Sequence, residues 1–308
     1  MPPLRGRGGP VALSNRAIRA LRAAGLDPAA TERAVVAALD EDLAFGADVT
    51  TTATVRKETR GTAVVAARQP GVIAGLPVAL AVLDASGAAG GGGARGAELL
   101  RADGDRIGAG EAVLRFRGPV AGLLSAERTL LNFLTHLSGI ATATRAWADA
   151  VAGTGAVIRD TRKTLPGLRA LEKYAVRCGG GVNHRLGLGD AALIKDNHVA
   201  AAGGITAAVA AVRAAAPGLP LEVECDTVDQ VAEALAAGAA EILLDNMGLA
   251  ELRRAVALAG RYPGTRLEAS GGLRLAGARA VAETGVGYLA VGALTHSSPA
   301  LDLGLDLV

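Results

Sequence analysis

The residues with the clearest potential for chemistry lie in one stretch, from Asp160 to His198. The chain has 32 basic residues, of which only four are Lys, and three of those Lys lie in this stretch together with two of the four His. A lysine ammonium is a compact point charge and an arginine guanidinium is a planar fork, so the two do not replace each other where a ligand packs closely. The stretch therefore predicts a pocket lined by cationic or polar donors from Arg162, Lys163, His184, Arg185 and Lys195.

A pocket of this kind favours a small ligand that carries several negative charges. The alternative is a basic face exposed to solvent, which is a common arrangement for runs of charge. The apolar, strand-like residues on either side of the charges favour the pocket. His184 is a candidate for orienting a ligand carboxylate, and His198 for a supporting group next to the residues that bind the ligand. His136 and His296 are interpreted as structural and are assigned no role in the site.

Two carboxylates end neighbouring apolar strands, Glu224 in LEVE and Asp245 in ILLD. If they face the cationic pocket, their oxygens can bind Mg²⁺, sugar hydroxyls or both. Alternatively, they balance nearby Arg and Lys residues. Glu222 has the same strand parity as Glu224, so parity does not separate the two, and Glu224 is preferred because it is nearer the carboxyl end of its strand.

Two glycine-containing turns follow the last two strands, ASGG at 269–272 and VGA at 291–293. Backbone N–H groups exposed at such turns, at the start of a helix, bind phosphate. One turn alone is a weak signal because glycine is common after strands. The pair on the last two strands is more specific, since phosphate sites of α/β barrels occur there.

Composition limits the possible functions. The 308 residues suffice for one large domain or two ordinary ones, half of them are hydrophobic, and only seven are aromatic. Packing must therefore rely on small aliphatic side chains, as in layered α/β proteins. A net charge of +2 and the scarcity of aromatic residues argue against a nucleic-acid partner.

The same sequence indicates a cytoplasmic protein. Cys178 and Cys225 lack the spacing of metal ligands and are interpreted as reduced thiols. Residues 1–13 are predicted to be a disordered tail. They begin with the basic segment MPPLRGRGGP, and the apolar segment of a signal peptide does not follow it. No apolar run reaches the roughly 18 residues of a membrane helix.

The elements that must position these residues alternate between apolar strands and helical stretches. Because helices join successive strands, the strands are predicted to be parallel with right-handed crossovers. Polar groups follow one strand after another, as at the active-site face of an α/β barrel. A doubly wound sheet would need a glycine fingerprint after its first strand, and none is present. The six predicted strands are 156–161, 192–197, 221–226, 241–246, 266–271 and 288–293.

The first part of the chain has a different pattern. Residues 31–43 predict an amphipathic helix with Thr31 as its N-cap, and residues 61–85 alternate like strands. The glycine-rich loop 86–96 is followed by short strands that resemble the β hammerhead of lipoyl-type domains but lack a Lys at the hairpin tip. Residues 125–147 predict a long helix with a break near Ser138 and Gly139.

Six ordered motifs resemble the quinolinate phosphoribosyltransferase family. The resemblance runs from about Asp42 to the C-terminus, is dense from Glu127 onward, and departs locally at the AFGADVTT turn and the glycine-rich loop. The motifs are ERTLLNFLTHLSGIAT, the stretch DTRKTLPGLRALEKYAVRCGGGVNHRLGLGDAALIKDNH, LEVECDT, ILLDNM, EASGG and VGALTHS.

The resemblance implies an α/β protein with an N-terminal α/β sandwich, here residues 14–128, and the open α/β barrel of type II phosphoribosyltransferases, here residues 129–308. The sandwich of one subunit caps the barrel of its partner, which makes the expected active unit a homodimer with shared sites. The implied reaction transfers phosphoribosyl from phosphoribosyl diphosphate to quinolinate with decarboxylation, and yields nicotinate mononucleotide, CO₂ and diphosphate.

The resemblance also implies roles for individual residues. Cationic and polar residues of the DTRKT, NHR and IKDNH motifs hold quinolinate, namely Thr161, Arg162, Lys163, His184, Arg185 and Lys195, with Arg128 from the other subunit. Glu224 and Asp245 bind the ribose hydroxyls and Mg²⁺, and together with Lys163 and Lys195 they are the predicted catalytic residues. The phosphate-binding residues are Ser270, Gly271, Gly272, Val291, Gly292 and Ala293.

Two other functions compete with this one. A related pyrophosphorylase-like protein associated with molybdenum transport would take a different substrate, but a monocarboxylate would not need so many cations. A non-catalytic phosphosugar sensor should lack either the carboxylate pair or the dicarboxylate pocket, and this chain has the residues for both.

Overall fold

The computed structural model describes residues 13–88 and 93–308. Residues 1–12 of the predicted tail and residues 89–92 of the glycine-rich loop lie outside the described residues. Leu13, the last residue of the predicted tail, is buried.

Helices and strands occupy most of the described chain. The helices are α1 (Asn15–Ala23), α2 (Pro28–Asp42), α3 (Val49–Thr54), α4 (Leu76–Ser86), α5 (Val120–Ala150), α6 (Arg169–Cys178), α7 (Asp196–Ala202), α8 (Ile205–Ala215), α9 (Val228–Ala236), α10 (Leu249–Ala259), α11 (Ala278–Ala282) and α12 (Ala293–His296). The strands are β1 (Arg60–Ala67), β2 (Gly71–Val72), β3 (Ala97–Leu99), β4 (Arg106–Ile107), β5 (Ala112–Pro119), β6 (Val157–Arg159), β7 (Ala192–Ile194), β8 (Leu221–Cys225), β9 (Glu241–Asp245), β10 (Arg266–Ser270), β11 (Tyr288–Ala290) and β12 (Leu303–Leu307).

The chain forms two compact units. The first unit comprises Met1–Ala143, Leu165–Gly179 and Ser297–Val308, and the second comprises Thr144–Thr164 and Gly180–His296. The domain boundary predicted between residues 128 and 129 falls within α5, inside the first unit. The charged stretch that dominates the sequence therefore contributes to both units.

The first unit contains an antiparallel sheet of four strands in the order β12, β1, β5 and β3, and a separate pair of β2 with β4. Helix α4 occupies residues for which the sequence pattern predicted a strand, so that part of the prediction was wrong. Every residue of α4 except Pro77 and Ser86 is buried, and a helix that is buried on nearly all sides has no helical period to distinguish it from a strand.

Helix α5 runs without the break that was predicted near Gly139. A side chain at Gly139 would lie 2.2 Å from the Pro299 carbonyl oxygen, so glycine is needed for close packing of the backbone and does not interrupt the helix. The predicted N-cap of α2 was also wrong. Asp27 caps this helix by accepting from the N–H groups of Ala29 and Ala30, and Thr31 lies buried inside it.

The second unit contains a parallel sheet of six strands in the order β6, β11, β10, β9, β8 and β7. All six strands predicted from the sequence are present. Each is shorter than predicted by one to three residues, because the last residues of each predicted strand belong to the following loop or helix, and the first strand also begins one residue later. An isolated parallel bridge joins Arg159 to Val182, next to β6. Among the described residues, no strand pairing joins Val182 to β7 at the other end of the sheet, so the sheet does not close into a complete barrel.

Strand parity determines which side chains share a face of this sheet. Glu222 and Glu224 alternate with buried Val223, and Glu268 and Ser270 alternate with buried Ala269. Val223, Ile242, Leu244, Leu267 and Leu289 form part of the apolar core.

No single helix of the described chain is long and apolar enough to span a membrane. Helices α7 and α8 satisfy the criterion only when they are taken together, across a bend of 89°.

Candidate active site

A cavity of about 420 Å³ lies at the carboxyl ends of the parallel strands in the second unit. Leu193, Leu243, Glu268 and Ala290 contribute to its wall. The structure also brings together here most of the residues that the sequence predicted for the site, namely Thr161, Arg162, Lys163, His184, Arg185, Lys195, Glu224, Asp245 and Ser270.

The remaining predicted residues are not part of this wall. Arg128 is exposed on α5 and belongs to the first unit. The residues of the two glycine turns follow directly after the lining residues Ser270 and Ala290, and the Val291 side chain is buried. The residues of these turns that do not line the cavity are Gly271, Gly272, Val291, Gly292 and Ala293.

Asp160 connects two of the sequence motifs. It is fully buried after β6, and its carboxylate accepts from the His184 backbone N–H at 2.8 Å and from Asn183 Nδ2 at 2.6 Å. A buried carboxylate is stable only when such donors surround it. Asp160 therefore holds the NHR motif beside the DTRKT motif, which brings Arg162 and Arg185 to the same cavity.

Both ring nitrogens of His184 are engaged within the protein. The Arg185 backbone N–H donates to Nδ1 at 2.7 Å, so the ring proton of the neutral imidazole is on Nε2, which donates to Glu222 Oε2 at 2.6 Å. His184 was expected to orient a ligand carboxylate, but in this arrangement neither nitrogen is available to a ligand. The backbone of the adjacent Arg185 is anchored by this ring.

The two guanidinium groups of the site lie close enough to affect each other. Burial, followed by the charge of Arg162, lowers the pKa of the Arg185 guanidinium. Arg162 Nε and Arg185 Nε are buried atoms that have no hydrogen-bond partner within the described residues. Two neighbouring cations with unused donors form a binding site for an anion.

Lys195 follows β7 and precedes α7. Its ammonium group is ion-paired with Glu224, and its backbone N–H donates to His198 Nδ1 at 3.0 Å. His198 therefore supports the start of α7 and the position of Lys195, which agrees with the supporting role predicted for it. About 43% of the Lys195 side chain and 15% of the Glu224 side chain are exposed, so both can reach a ligand in the cavity.

The end of β9 is shaped by an unusual backbone conformation. Asn246 has a φ of 55°, and its side-chain amide donates to Asp245 Oδ2 at 2.7 Å. A side chain at Gly271 would lie 2.2 Å from Asn246 Oδ1, so only glycine fits there. The turn after β10 is separated from α11 by five residues and is not the helix start that the sequence predicted.

The second glycine turn does lead directly into a helix, α12, of four residues. A side chain at Gly292 would lie 3.0 Å from Lys163 Cδ, 3.4 Å from Thr161 Oγ1 and 3.5 Å from His296 Nε2. His296, for which a structural role was predicted, therefore lies beside two predicted site residues.

A layer of buried charge close to the cavity was not predicted. Arg159 Nη1 donates to Glu268 at 2.7 Å and to Glu241 at 3.0 Å, and Glu268 lines the cavity while being only 1% exposed. The alternation of side chains along a strand, with a period of two residues, would have been enough to predict this layer from the sequence. Arg159, Glu222 and Glu268 each precede a predicted site residue of the same strand by two positions, so their side chains share its face.

Two groups of residues can be considered as metal ligands. Glu224 and Asp245 line the cavity and offer hard oxygen donors, which suits Mg²⁺. His184, Glu222 and Glu268 bring one donor atom each to within 4.8 Å of one another. The second group suits a metal less well, because Nε2 of His184 carries the ring proton.

Two domain models of one enzyme family match most of the chain. The pattern of the quinolinate phosphoribosyl transferase N-terminal domain matches residues 48–138, and that of the C-terminal domain of the same enzyme matches residues 140–306.

Individual relatives carry consistent names. The chain is 57% identical over 273 residues to a carboxylating nicotinate-nucleotide pyrophosphorylase of Mycobacterium leprae, an alignment that covers 88% of this chain and 94% of the relative. It is 47% identical over 210 residues to a probable enzyme of the same name from Bacillus subtilis, with 68% and 72% covered. The solved structure of the Francisella tularensis nicotinate-nucleotide pyrophosphorylase superposes with a TM-score of 0.84 at 34% identity, over 92% of this chain and 98% of that one.

Proposed function

Because the chain belongs to the quinolinate phosphoribosyltransferase family, we propose that it transfers phosphoribosyl from phosphoribosyl diphosphate to quinolinate and releases diphosphate and CO₂. The product is nicotinate mononucleotide, which makes the reaction a step of NAD biosynthesis. The α/β fold predicted from the sequence, with its parallel six-stranded sheet, agrees with this family.

The observation that carries the proposal is the charge distribution of the cavity. Arg162, Lys163, Arg185 and Lys195 lie on one set of strand ends, and Glu224 and Asp245 lie on the neighbouring β8 and β9. A ligand that fills this space must offer negative charge to the first set, and hydroxyls or a bound cation to the second. Quinolinate supplies two carboxylates, and phosphoribosyl diphosphate supplies the hydroxyls and the phosphates.

In this assignment, the four cations bind and orient quinolinate, with Thr161 beside them. Holding the ring nitrogen against the reacting sugar carbon lowers the barrier through proximity. His184 acts indirectly, because its ring anchors the Arg185 backbone. Arg162 and Arg185, whose Nε atoms have no partner among residues 13–88 and 93–308, would gain partners in the substrate carboxylates.

The sugar carbon loses diphosphate through an oxocarbenium-like state and is then attacked by the quinolinate nitrogen. Glu224 and Asp245 would hold the ribose hydroxyls and Mg²⁺, and their hard oxygen donors fit that ion. When bound, Mg²⁺ supplies positive charge against the leaving diphosphate. Lys195, which is paired with Glu224, would link the quinolinate side of the cavity to the ribose side.

The glycine turns would hold the phosphate groups. Ser270 lines the cavity, and Gly271 and Gly272 after it both have positive φ, a conformation that glycine adopts readily and that leaves this turn without side chains next to a phosphate. Gly292 and Ala293, after Val291, are the corresponding residues of the second turn and lie at the start of α12.

We further propose that the active unit is a homodimer in which Arg128 completes the site of the partner subunit. In support, Arg128 is an exposed cation on α5 and is not among the residues that line the cavity of its own chain. A C₂ dimer would build two equivalent sites in this manner. The cytoplasmic location and the absence of nucleic-acid and membrane partners stay predictions from the sequence.

The release of CO₂ from the 2-carboxylate of quinolinate tests the function directly. We expect release only when phosphoribosyl diphosphate and Mg²⁺ are both present, with equal formation of nicotinate mononucleotide. Binding of phosphoribosyl diphosphate without any release would favour the sensor. Transfer to a monocarboxylate without CO₂ would favour the pyrophosphorylase-like alternative.

A further inference from the structure

Two buried carboxylates, Glu222 and Glu268, lie beside His184, and its single ring proton bonds only Glu222. Glu222 is 3% exposed and Glu268 is 1% exposed. The one ring proton of His184 is on Nε2, which donates to Glu222 Oε2 at 2.6 Å and lies 4.0 Å from Glu268 Oε1, beyond hydrogen-bond distance. Within the described residues, Glu222 Oε1 and Glu268 Oε1 have no hydrogen-bond partner.

A metal ion does not explain this arrangement. Ligation through His184 Nε2 would require the ring proton to move to Nδ1, but Nδ1 accepts the Arg185 backbone N–H at 2.7 Å. A proton on Glu268 explains how two buried carboxylates can place oxygens within 4.8 Å of each other, because a neutral acid does not repel the Glu222 carboxylate and costs less to bury than a charged one.

The charges around Glu268 agree with a neutral acid. Arg159 donates to Glu268 Oε2 at 2.7 Å, but it is shared with Glu241, to which it donates at 3.0 Å. Burial, followed by the charge of Glu222, raises the pKa of Glu268 to about 8 although Arg159 opposes the shift. The ionisable groups that lie beside Glu268 are Arg159 on β6, His184, Glu222 on β8, Glu241 on β9 and Tyr288 on β11.

The proposed reaction needs a proton at the point where CO₂ leaves. When the bond between ring carbon 2 and its carboxylate breaks, the electron pair stays on carbon 2 and must take up a proton. Glu268 lines the cavity, whereas His184 holds its ring proton in a bond to Glu222 and the Lys195 ammonium is paired with Glu224. The Lys163 ammonium, which also lines the cavity, is assigned to the carboxylates of quinolinate.

We propose that Glu268 is the acid that delivers this proton to carbon 2 of the ring, an inference that rests on the proposed function. The O–H bond of Glu268 breaks as the new C–H bond forms, and the carboxylate that remains is stabilised by Arg159. After the product leaves, water returns the proton to Glu268.

The test is the single-turnover rate of nicotinate mononucleotide formation, measured between about pH 6 and pH 9.5 for the wild type, Glu268→Gln and Glu268→Asp. Gln keeps the shape and a neutral hydrogen-bonding group but has no acidic proton. General acids typically contribute about 10²–10⁴-fold, and water can partly replace them, so we expect Glu268→Gln to lose at least about tenfold. Quinolinate affinity should stay within about threefold, and Asp should restore part of the rate.

The pH profile separates an acid from a residue that only supports the fold. The wild-type rate should fall above about pH 8, as Glu268 loses its proton, and this decline should be absent in Glu268→Gln. Glu241→Gln is the matched control, because it also removes a carboxylate from Arg159 but does not line the cavity. This variant should keep the rate near neutral pH and should still show the alkaline decline, which should begin at a lower pH because the Glu241 charge no longer raises the pKa of Glu268.

Two results would overturn the proposal. One is a Glu268→Gln variant that has the wild-type rate or keeps the alkaline decline. The other is a wild-type rate that stays flat across the alkaline range, a measurement that does not depend on any variant being folded. Neither resembles the failure of the proposed function, in which the wild type itself would form no nicotinate mononucleotide and release no CO₂ at any pH.

Discussion

At the scale of single residues, the site uses its two lysines in different surroundings. Lys195 is half-buried and paired with Glu224, whereas Lys163 is exposed and follows β6. In both places a point charge must fit among other side chains. Lys163 Cδ lies within 3.0 Å of the position that a side chain at Gly292 would occupy, which leaves little room for the wider arginine fork.

We expect Lys195→Arg to lose at least ~10-fold in turnover, which corresponds to about 1.4 kcal/mol of activation free energy. The planar guanidinium is wider than the Lys195 ammonium and cannot make the same compact contact with Glu224. It would also take up space in the cavity that the ligand needs. The measurement is kcat with both substrates saturating. Lys57→Arg is the control, because Lys57 is exposed in the first unit, and its turnover should not change. Near-normal turnover of Lys195→Arg would contradict the prediction.

Asp245 should act on phosphoribosyl diphosphate and not on quinolinate. Asp245→Asn removes the charge but keeps a group that Asn246 Nδ2 can bind, as it now binds Asp245 Oδ2 at 2.7 Å. Calorimetry with each ligand in the presence of Mg²⁺ should show weaker binding of phosphoribosyl diphosphate and a quinolinate affinity within about twofold of the wild type. Asp226→Asn, an exposed neighbour, is the control. An equal loss for both ligands would mean that Asp245 has another role.

The sequence predicted most of the residues that line the cavity but not the contacts of each side chain. Nine predicted site residues line one cavity, because parallel strands bring their carboxyl ends to one edge. The choice of Glu224 over Glu222 agrees with the structure, in which Glu224 lines the cavity and Glu222 binds His184. The role of His184 could not be predicted, because its ring partners are a backbone N–H and a residue 38 positions away.

At the scale of elements, the parallel strands were predictable and the helices of the first unit were less so. Apolar runs that end in polar or small residues identified all six strands of the second unit. In the first unit, α4 was mistaken for a strand because it is buried on nearly all sides, and α5 was expected to break at a glycine that serves for close packing. Burial and backbone contacts between distant segments decide such cases, and neither is visible in local sequence.

The contact at Gly139 leads to a prediction for stability. A methyl group there would lie 2.2 Å from the Pro299 carbonyl oxygen and 3.0 Å from Ala300 Cα, so Gly139→Ala must displace the segment that packs on α5. Overpacking of this kind costs typically about 1–3 kcal/mol of the free energy of unfolding. Urea denaturation measures the loss.

Gly277→Ala is the matched control for this prediction. It adds the same methyl group at a position with no atom within 4 Å and with an ordinary backbone conformation. Surface changes of this type stay within about 0.5 kcal/mol. If Gly139→Ala is as stable as Gly277→Ala, the close contact is not what requires glycine.

At the scale of the whole molecule, a site shared between two subunits leads to a result that is not expected if each chain forms its site alone. Loss of a charge-assisted contact to a bound carboxylate costs roughly 1.5–3 kcal/mol, so homodimers of Arg128→Ala and of Lys195→Ala should both be nearly inactive. In a mixed dimer, one site would carry both defects and the other would carry neither. Refolding the two variants together should therefore restore about a quarter of the wild-type activity, if pairing is random and the sites are independent.

The control for this experiment is the same mixture in which both chains carry Arg128→Ala and Lys195→Ala, which has no intact site in any pairing. Mass spectrometry of differently tagged chains shows whether mixed dimers form. If they form and the activity stays at the level of the parents, Arg128 acts within its own chain, and the shared site is wrong.

The scarcity of lysine has a practical consequence for following ligands. Of the four lysine side chains, Lys173 is fully buried, Lys57 is exposed far along the chain from the site motifs, and the other two border the cavity. An amine-selective acylating reagent would thus report on the cavity with little background. The extent of labelling at Lys163 and Lys195, normalised to Lys57 in the same digest, would measure site occupancy for any unlabelled ligand, without an assay of turnover.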